Sequence, residues 1–405
     1  MLRDEMRPFG HLTPFPAAME TALALAVPVD ERERVSLRQA SSRVLAEAIV
    51  SPVDLPASPR AAMDGYAVRA EDIAGCSSAA PAELRCRGCL LAGMQPPSAV
   101  DRGNCIEIAT GAPLPPGTDT VVPVEETELR GDRVWVKLAA APGTHVSERG
   151  EDLREGETLA PAGALLSPAI VAALAAVGID TVQAWRRPKV LLVPTGNEVV
   201  PQGESLPPGH VYDSNSIALQ ALLEANGADA ERADIVTDDG AALAAAIGRP
   251  GFDMVVTIGG TSVGRHDLVI DVVGRSGEVL VHGVAMKPGK PLMLARLAGR
   301  PVVGLPGFPT SCLLLGYGVL EPMVRRLARL PQGSRSNRLV KLAEPVSSPA
   351  GKHQLLTVIL RDDGAIPAYR ASSTISSMSA ADGWIVIDAA TERLSAGTDV
   401  QVMLF

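Results

Sequence analysis

The chain has 405 residues, 46% of them hydrophobic, 20% charged and only 3% aromatic, a balance that predicts a globular protein of roughly two to four domains with cores packed from Ala, Val and Leu. Its 37 Lys plus Arg stand against 46 Asp plus Glu, for a formal net charge of −9, so nucleic acid and anionic membrane are disfavoured partners. No segment approaches the ~20 apolar residues of a membrane helix, and Thr21–Val27 follows Glu20 rather than the basic cluster of a secretory signal, so a cytoplasmic location is expected.

Taken in chain order, Thr13-Pro14 opens a predicted helix over the Ala/Leu-rich Pro16–Val27. A second helix is expected over Ser36–Ile49, where Leu37, Val44 and Leu45 are apolar. From Ser51 to Ala141 short apolar runs alternate with Pro and Gly, as at Asn104–Ala109, Thr120–Val124 and Arg133–Leu138, the texture of a β-rich module. Cys76, Cys86, Cys89 and Cys105 fall in this module; Cys86-Arg-Gly-Cys89 lacks the second close pair of a structural zinc site, and the odd total of five cysteines suits a reducing compartment. Helix returns over Leu165–Gly178, so the segments flanking the module are expected to form one domain around it.

From Pro188 the order becomes strand, loop, helix. Val190–Val193 and Met254–Ile258 are continuous apolar runs, expected of strands buried on both faces. Asp213–Ser216 offers cap residues before Ile217–Ala225, Leu268–Val273 is helical, and Pro301–Leu305 leads into a helix over Thr310–Leu330. The expected fold is multi-domain α/β and β. A discontinuous linking domain (1–50 with 142–180) carries an inserted β-rich arm (51–141). A doubly wound, largely parallel α/β domain (181–330) and a small C-terminal β domain (331–405) follow.

The chemistry gathers where strands of that sheet would end. Gly259-Gly260-Thr261-Ser262-Val263-Gly264 follows the strand Met254–Ile258. Such a turn either cradles phosphate with its amides or is simply a tight strand-to-helix connection. Arg265-His266 stands where a P-loop would continue with Gly-Lys-Ser/Thr, which excludes that motif. Thr195-Gly196-Asn197-Glu198 and Lys287-Pro288-Gly289-Lys290-Pro291 follow other strands, and Lys287 and Lys290 are point charges suited to an oxyanion. Glu198, Asp238, Asp239 and Asp267 are hard oxygen donors of the kind Mg²⁺ takes beside phosphates. Pro306, Gly307, Thr310 and Ser311 sit between a strand and a helix.

Eight motifs in order now make the chain recognisable: AMDGYA at Ala62–Ala67, TGAPLPPGTD at Thr110–Asp119, RGED at Arg149–Asp152, TGNE at Thr195–Glu198, YDSN at Tyr212–Asn215, GGTSVG at Gly259–Gly264, KPGKP at Lys287–Pro291 and LPGFPTS at Leu305–Ser311. Together they resemble the molybdopterin molybdenumtransferase family, the molybdenum insertases that include the E domain of gephyrin. The resemblance implies a transferase of molybdenum cofactor biosynthesis that takes adenylylated molybdopterin and molybdate, cleaves the phosphoanhydride with Mg²⁺ and releases AMP. By motif position, Gly259, Gly260, Thr261, Ser262 and Gly264 would hold phosphate, and Lys287 and Lys290 would neutralise anionic oxygens. Glu198, Asp267 and Asp238 or Asp239 would position Mg²⁺ or the oxyanion. Asp213, Asn215, Pro306, Gly307, Ser311 and Ser372 would line the substrate site. The family forms homodimers, so Asp64 and Thr110 would reach the partner subunit's site, and the preceding adenylyltransferase and the molybdoenzyme apoproteins are candidate partners. Asn197 stands where many members have Asp, Phe308 where Asn is commoner in the PGNP turn, and Ser373 where a Gly is usual. The family's arginine near Gly351–Leu356 has no counterpart. The alternatives are a molybdopterin adenylyltransferase, which shares the central fold but lacks the arm and C-terminal domain, and a non-catalytic molybdopterin-binding scaffold.

Overall fold

The computed structural model describes residues 11–96, 98–260, 268–333 and 335–405. Two compact units are present: Arg34–Ser41 with Leu45–Gln183, and Met1–Glu33 with Ser42–Val44 and Ala184–Phe405.

The first unit is built on a six-stranded sheet in the order Thr120–Pro123, Gly65–Val68, Asn104–Ile108, Ala82–Leu90, Arg133–Val136, Thr127–Arg130. Side chains alternate between its faces: Ala67, Ile106, Ile108 and Val121 pack on one side, and Tyr66, Val68, Cys105 and Val122 on the other. The motif Ala62–Ala67 is a turn only as far as Asp64. Gly65 already belongs to a strand, and a Cβ there would overlap the Val122 carbonyl oxygen. The helix expected over Ser36–Ile49 is absent. Leu37–Gln39 makes one 3₁₀ turn and Ser42 takes φ +64°, while Leu45 and Ala46 donate their N–H groups to the carbonyls of Ala164 and Gln183. Three apolar residues at helical spacing are a weak signal, and helix propensity worth under ~0.7 kcal/mol per residue yields to such long-range pairing. The helix expected from Leu165 runs Pro168–Ala176, with Ser167 Oγ accepting the Ile170 N–H at 3.3 Å.

The second unit holds the central sheet. Its elements are β1 (Lys189–Pro194), α1 (Asn215–Ala225), β2 (Asp229–Arg232), α2 (Gly240–Gly248), β3 (Met254–Ile258), α3 (Leu268–Ser276), β4 (Glu278–His282), β5 (Met293–Leu297), β6 (Arg300–Leu305) and α4 (Pro309–Leu315). The strand order is β2-β1-β3-β6-β5-β4. Pairs β1·β2, β1·β3 and β3·β6 are parallel, and β5 is antiparallel to both β6 and β4. Only β5 is reversed, so the carboxyl ends of the other five strands share one edge. Val190, Leu192, Val256 and Val303 pack with Leu219 and Leu223 of α1, whereas Leu191, Val193, Val255 and Val302 pack with Leu243 of α2 and Val269 of α3. Burial on both faces is why the strands read as unbroken apolar runs, each such side chain contributing about 1.5–3 kcal/mol.

Helix Phe15–Leu25 inserts Ala18, Ala22 and Leu25 into this same core. That differs from the expected grouping of residues 1–50 with 142–180. The long helix expected from Thr310 runs from Pro309 to Leu327 with a π turn at Gly316–Leu320. A Cβ on Gly316 would come within 2.7 Å of Leu219, so glycine lets this run lie against α1. The C-terminal sheet joins Asn337–Lys341, Asp399–Leu404, Gly383–Ile387 and His353–Arg361. It takes Met286–Lys287 as its last strand, Lys287 in register with Gln354. Among the described residues no helix is long and apolar enough to cross a membrane.

Candidate functional site

Five loops leave the carboxyl edge of the central sheet, and hydrogen bonds tie four of them together. After β1, Thr195 is buried and donates both its N–H (2.9 Å) and its Oγ1 (3.1 Å) to the carbonyl of Ile258 at the end of β3. Gly259 follows with φ +94° and Gly260 with φ +64°. A Cβ on Gly259 would lie 2.7 Å from the Thr195 carbonyl oxygen, so only glycine turns the chain this sharply here. The Gly259 N–H donates to Leu305 O at 2.9 Å, and the Cβ position of Gly307 lies 3.7 Å from the Gly259 Cα, so the loop after β6 backs onto the same turn. Asn215 Nδ2 donates to Gly307 O at 2.8 Å.

The charged groups stand around this glycine centre. A Cβ on Gly196, whose φ is +136°, would sit 2.6 Å from Glu198 Oε2, so the Glu198 carboxylate curls back over its own loop. Asn197 Oδ1 accepts the Asp238 N–H at 3.1 Å, tying the loop after β1 to the one after β2. Asn197, the residue that departs from the family pattern, therefore has a local structural task. Glu198 and Asp238 are exposed, and the side chain of neither makes a hydrogen bond or ion pair among the described residues. Asp239 is differently placed: its Oδ1 accepts the N–H groups of Ala241 (2.9 Å) and Ala242 (2.7 Å) as the cap of α2. Of the two carboxylates left as alternatives in the sequence, Asp238 is the uncommitted one. An Asp directly before a Gly-Ala-Ala-Leu run is a cap signature that could have separated them. Exposed carboxylates on tied loops suit Mg²⁺, a hard cation that keeps several waters; among the described residues no group of three or more His, Cys, Asp or Glu is assembled.

Lys287 and Lys290 are both exposed, while Pro288 and Gly289 between them are buried. Pairing of Met286–Lys287 with His353–Gln354 anchors one end of this turn. At the other, Lys290 O accepts the Val284 N–H at 2.8 Å, and Gly289 closes on Leu315. Thr310, a possible helix cap by sequence, instead joins the loop after β6 to the C-terminal domain: its N–H donates to Ser372 O (3.1 Å) and its Oγ1 to Thr374 O (2.7 Å). Pro306 and Ser311 are buried beside it, and Ser372 is half-buried. Asp213 is buried, and its two carboxylate oxygens are engaged by the N–H and Oγ of Ser216. Its first task is the start of α1. Thr261, Ser262, Gly264 and Asp267 lie outside the described residues.

In the other unit, Thr110 donates both its N–H and its Oγ1 to Asp64 Oδ1, each at 2.7 Å. These two bonds hold the Asp64 carboxyl below its ordinary pKa. The cysteines show no metal cluster among the described residues; Cys105 is buried, and desolvation pushes its thiol up to about 12.

Residues 13–178 match the family model "MoeA N-terminal region (domain I and II)", residues 192–326 "Probable molybdopterin binding domain", and residues 340–405 "MoeA C-terminal region (domain IV)". The chain is 35% identical over 382 residues to "Molybdopterin molybdenumtransferase 2" of Mycobacterium tuberculosis, covering 91% of this chain and 94% of the relative. It is 35% identical over 339 residues to "Molybdopterin molybdenumtransferase" of Nostoc sp., covering 81% of this chain and 78% of that one. The crystal structure of the molybdopterin biosynthesis MoeA protein from Pyrococcus horikoshii superposes with a TM-score of 0.83 at 36% identity, covering 97% of this chain and 99% of that one.

Proposed function

The chain belongs to the molybdopterin molybdenumtransferase family, a transferase family of molybdenum cofactor biosynthesis, and from that premise we propose how it acts. The reaction is transfer of molybdenum from molybdate to adenylylated molybdopterin, coupled to cleavage of the phosphoanhydride and release of AMP. A water oxygen attacks phosphorus and the P–O–P bond breaks, so that one phosphate leaves on AMP and the other stays on the pterin side chain. The two dithiolene sulfurs bond molybdenum and displace an oxygen of molybdate, which leaves as water with the thiol protons. Such a step needs little covalent help from protein; it needs positioning and neutralised charge.

The observation that carries this reading is the convergence of glycine and charge at one sheet edge. Gly259, its own N–H bonded to Leu305 O, and Gly260 make a turn without side chains that phosphate oxygens can approach closely, and the Thr195 and Gly307 loops brace it. Lys287 and Lys290, on a turn stiffened by two prolines, neutralise anhydride and molybdate oxygens. Glu198 and Asp238, with Asp267, would hold Mg²⁺. When bound, the ion supplies charge neutralisation at the leaving phosphate. Purified protein incubated with adenylylated molybdopterin, molybdate and Mg²⁺ should release AMP in step with active cofactor. ATP-dependent adenylylation of molybdopterin instead would identify an adenylyltransferase, and binding without turnover a scaffold.

The active unit in this reading is a homodimer, with the Asp64–Thr110 turn serving the partner subunit's site. The bonded pair is a preformed polar tip, not a core element, which suits donation to a second copy. Random mixing of Asp64→Ala and Lys287→Ala subunits should then restore one intact site per mixed dimer, about a quarter of wild-type activity. A mixture as inactive as its parents, after proven subunit exchange, would show that the residue serves its own subunit.

A further inference from the structure

Among the described residues Phe308 is the most exposed aromatic, at 58%, against 41% for Tyr212 and 37% for Phe405. A lone exposed apolar side chain is ordinary on a surface. What sets Phe308 apart is the rigidity and position of its backbone. The preceding Gly307 has its carbonyl bonded by Asn215 Nδ2 at 2.8 Å, and the Phe308 carbonyl accepts the Cys312 N–H at 2.9 Å. Two residues on, the N–H and Oγ1 of Thr310 are fastened to Ser372 and Thr374. Pro306 and Pro309 bracket the turn. Gly307 in turn lies against Gly259, the residue that opens the glycine turn. The chain therefore carries a ring, unburied, on a fixed mount one residue from the place where phosphate is read to bind.

We propose that Phe308 is a stacking surface for a fused heteroaromatic ring of the substrate. The inference rests on the substrate reading above, which supplies two such rings, adenine and pterin, on either side of the phosphoanhydride. A phenyl ring on a fixed backbone has only two side-chain torsions to order when a planar ring stacks on it, so the entropic cost is small. An Asn in this position would offer hydrogen bonds and no ring face, so Phe308 makes recognition in this chain depend on stacking.

Calorimetric titration of the full chain with AMP, pterin-6-carboxylate and ribose 5-phosphate tests the proposal. Phe308→Leu and Phe308→Asn should weaken the ring-bearing ligand by about 5- to 100-fold, the range of base–aromatic stacking, while Phe308→Trp retains it. Ribose 5-phosphate, which has no ring, should bind all four proteins alike, and their melting temperatures should agree. Weakening confined to AMP assigns adenine to the ring; weakening confined to the pterin assigns the pterin. Equal loss on ribose 5-phosphate, or wild-type affinity for both ring ligands in Phe308→Leu, overturns stacking while leaving the substrate reading intact. A wild-type protein that binds none of the three refutes the substrate reading, and the stacking proposal falls with it.

Discussion

The two edges of the central sheet are made by the same strands and treat charge in opposite ways. At the amino edge most of the charges are paired. Arg186 grips Asp253 through two bonds of 2.9 and 3.0 Å, and Asp253 also accepts the Lys189 N–H at 2.6 Å. Arg249 bonds Glu231 at 2.6 Å, Arg187 lies 3.8 Å from Asp229, and Arg296 lies 3.7 Å from Glu278. The hollow there, about 630 Å³, is lined by two such pairs, Arg187 with Asp229 and Arg249 with Glu231, together with Lys189 and Phe252. At the carboxyl edge, Glu198, Asp238 and Lys287 stand exposed without an ion pair among the described residues, around glycines whose positive φ would strain any other residue. Charges that hold a fold together find partners within it. Under the proposed function the unpaired charges at the carboxyl edge are the ones a ligand would meet, and the cavity's size is a poorer guide than this asymmetry.

The sharpest way to break that comparison is to remove charge at the carboxyl edge. Lys287→Ala or Glu198→Gln should lower kcat for AMP release by about 10²–10³-fold, the usual loss of one preorganised electrostatic group. Both side chains are exposed, so thermal unfolding should be unchanged. A variant that keeps its turnover would remove that residue from the site.

Much of this edge was legible because its logic is local. Val190–Val193 and Met254–Ile258 announce buried strands, and a glycine pair directly after one announces a turn. The ties between loops were not legible: nothing in the spacing says that Asn197 receives the Asp238 N–H or that Thr195 reaches Ile258. Strands with mixed composition were missed as well. Ala82–Leu90 carries Glu83, Arg85 and Arg87, and Met293–Leu297 carries Arg296; their polar side chains point to solvent, and their strand identity comes from neighbours distant in sequence. The 36–49 segment failed for the same reason, its backbone partners lying more than a hundred residues away.

The complementary change at the amino edge should be felt as stability. Asp253→Ala leaves the Arg186 guanidinium and the Lys189 N–H without their shared acceptor, and hydrogen bonds to charged groups are worth about 1.5–3 kcal/mol. The expected result is a fall of that size in unfolding free energy, read from denaturant titration, with kcat unchanged. A lost kcat at native stability would erase the distinction between the edges. Gly259→Ala tests the glycines themselves. Its Cβ would press on the Thr195 carbonyl at a φ that L-residues avoid, a cost of about 1–3 kcal/mol. If this turn cradles phosphate, as proposed above, AMP affinity should fall together with stability, which neither Lys287→Ala nor Asp253→Ala would produce.

The smallest expected effect sharpens the comparison, because Asp64 belongs to neither class: it is exposed like Asp238 yet hydrogen-bonded like Asp253. The Thr110 N–H, and then its hydroxyl, stabilise the ionised carboxylate and lower its pKa from the ordinary 3.8. A depressed folded-state value means the unfolded chain binds the proton first. The contribution to stability is therefore present above about pH 4 and is lost as the pH falls through the folded-state pKa. Thr110→Val removes the hydroxyl donor and keeps the backbone one. The Asp64 pKa should then rise part of the way back toward 3.8, measurable by following the side-chain carboxyl in an NMR titration. Because the backbone bond is the larger cause, a return all the way to 3.8 would mean that the turn itself had opened. No rise at all would mean that the hydroxyl bond is absent in solution and that the tip is held by the backbone alone.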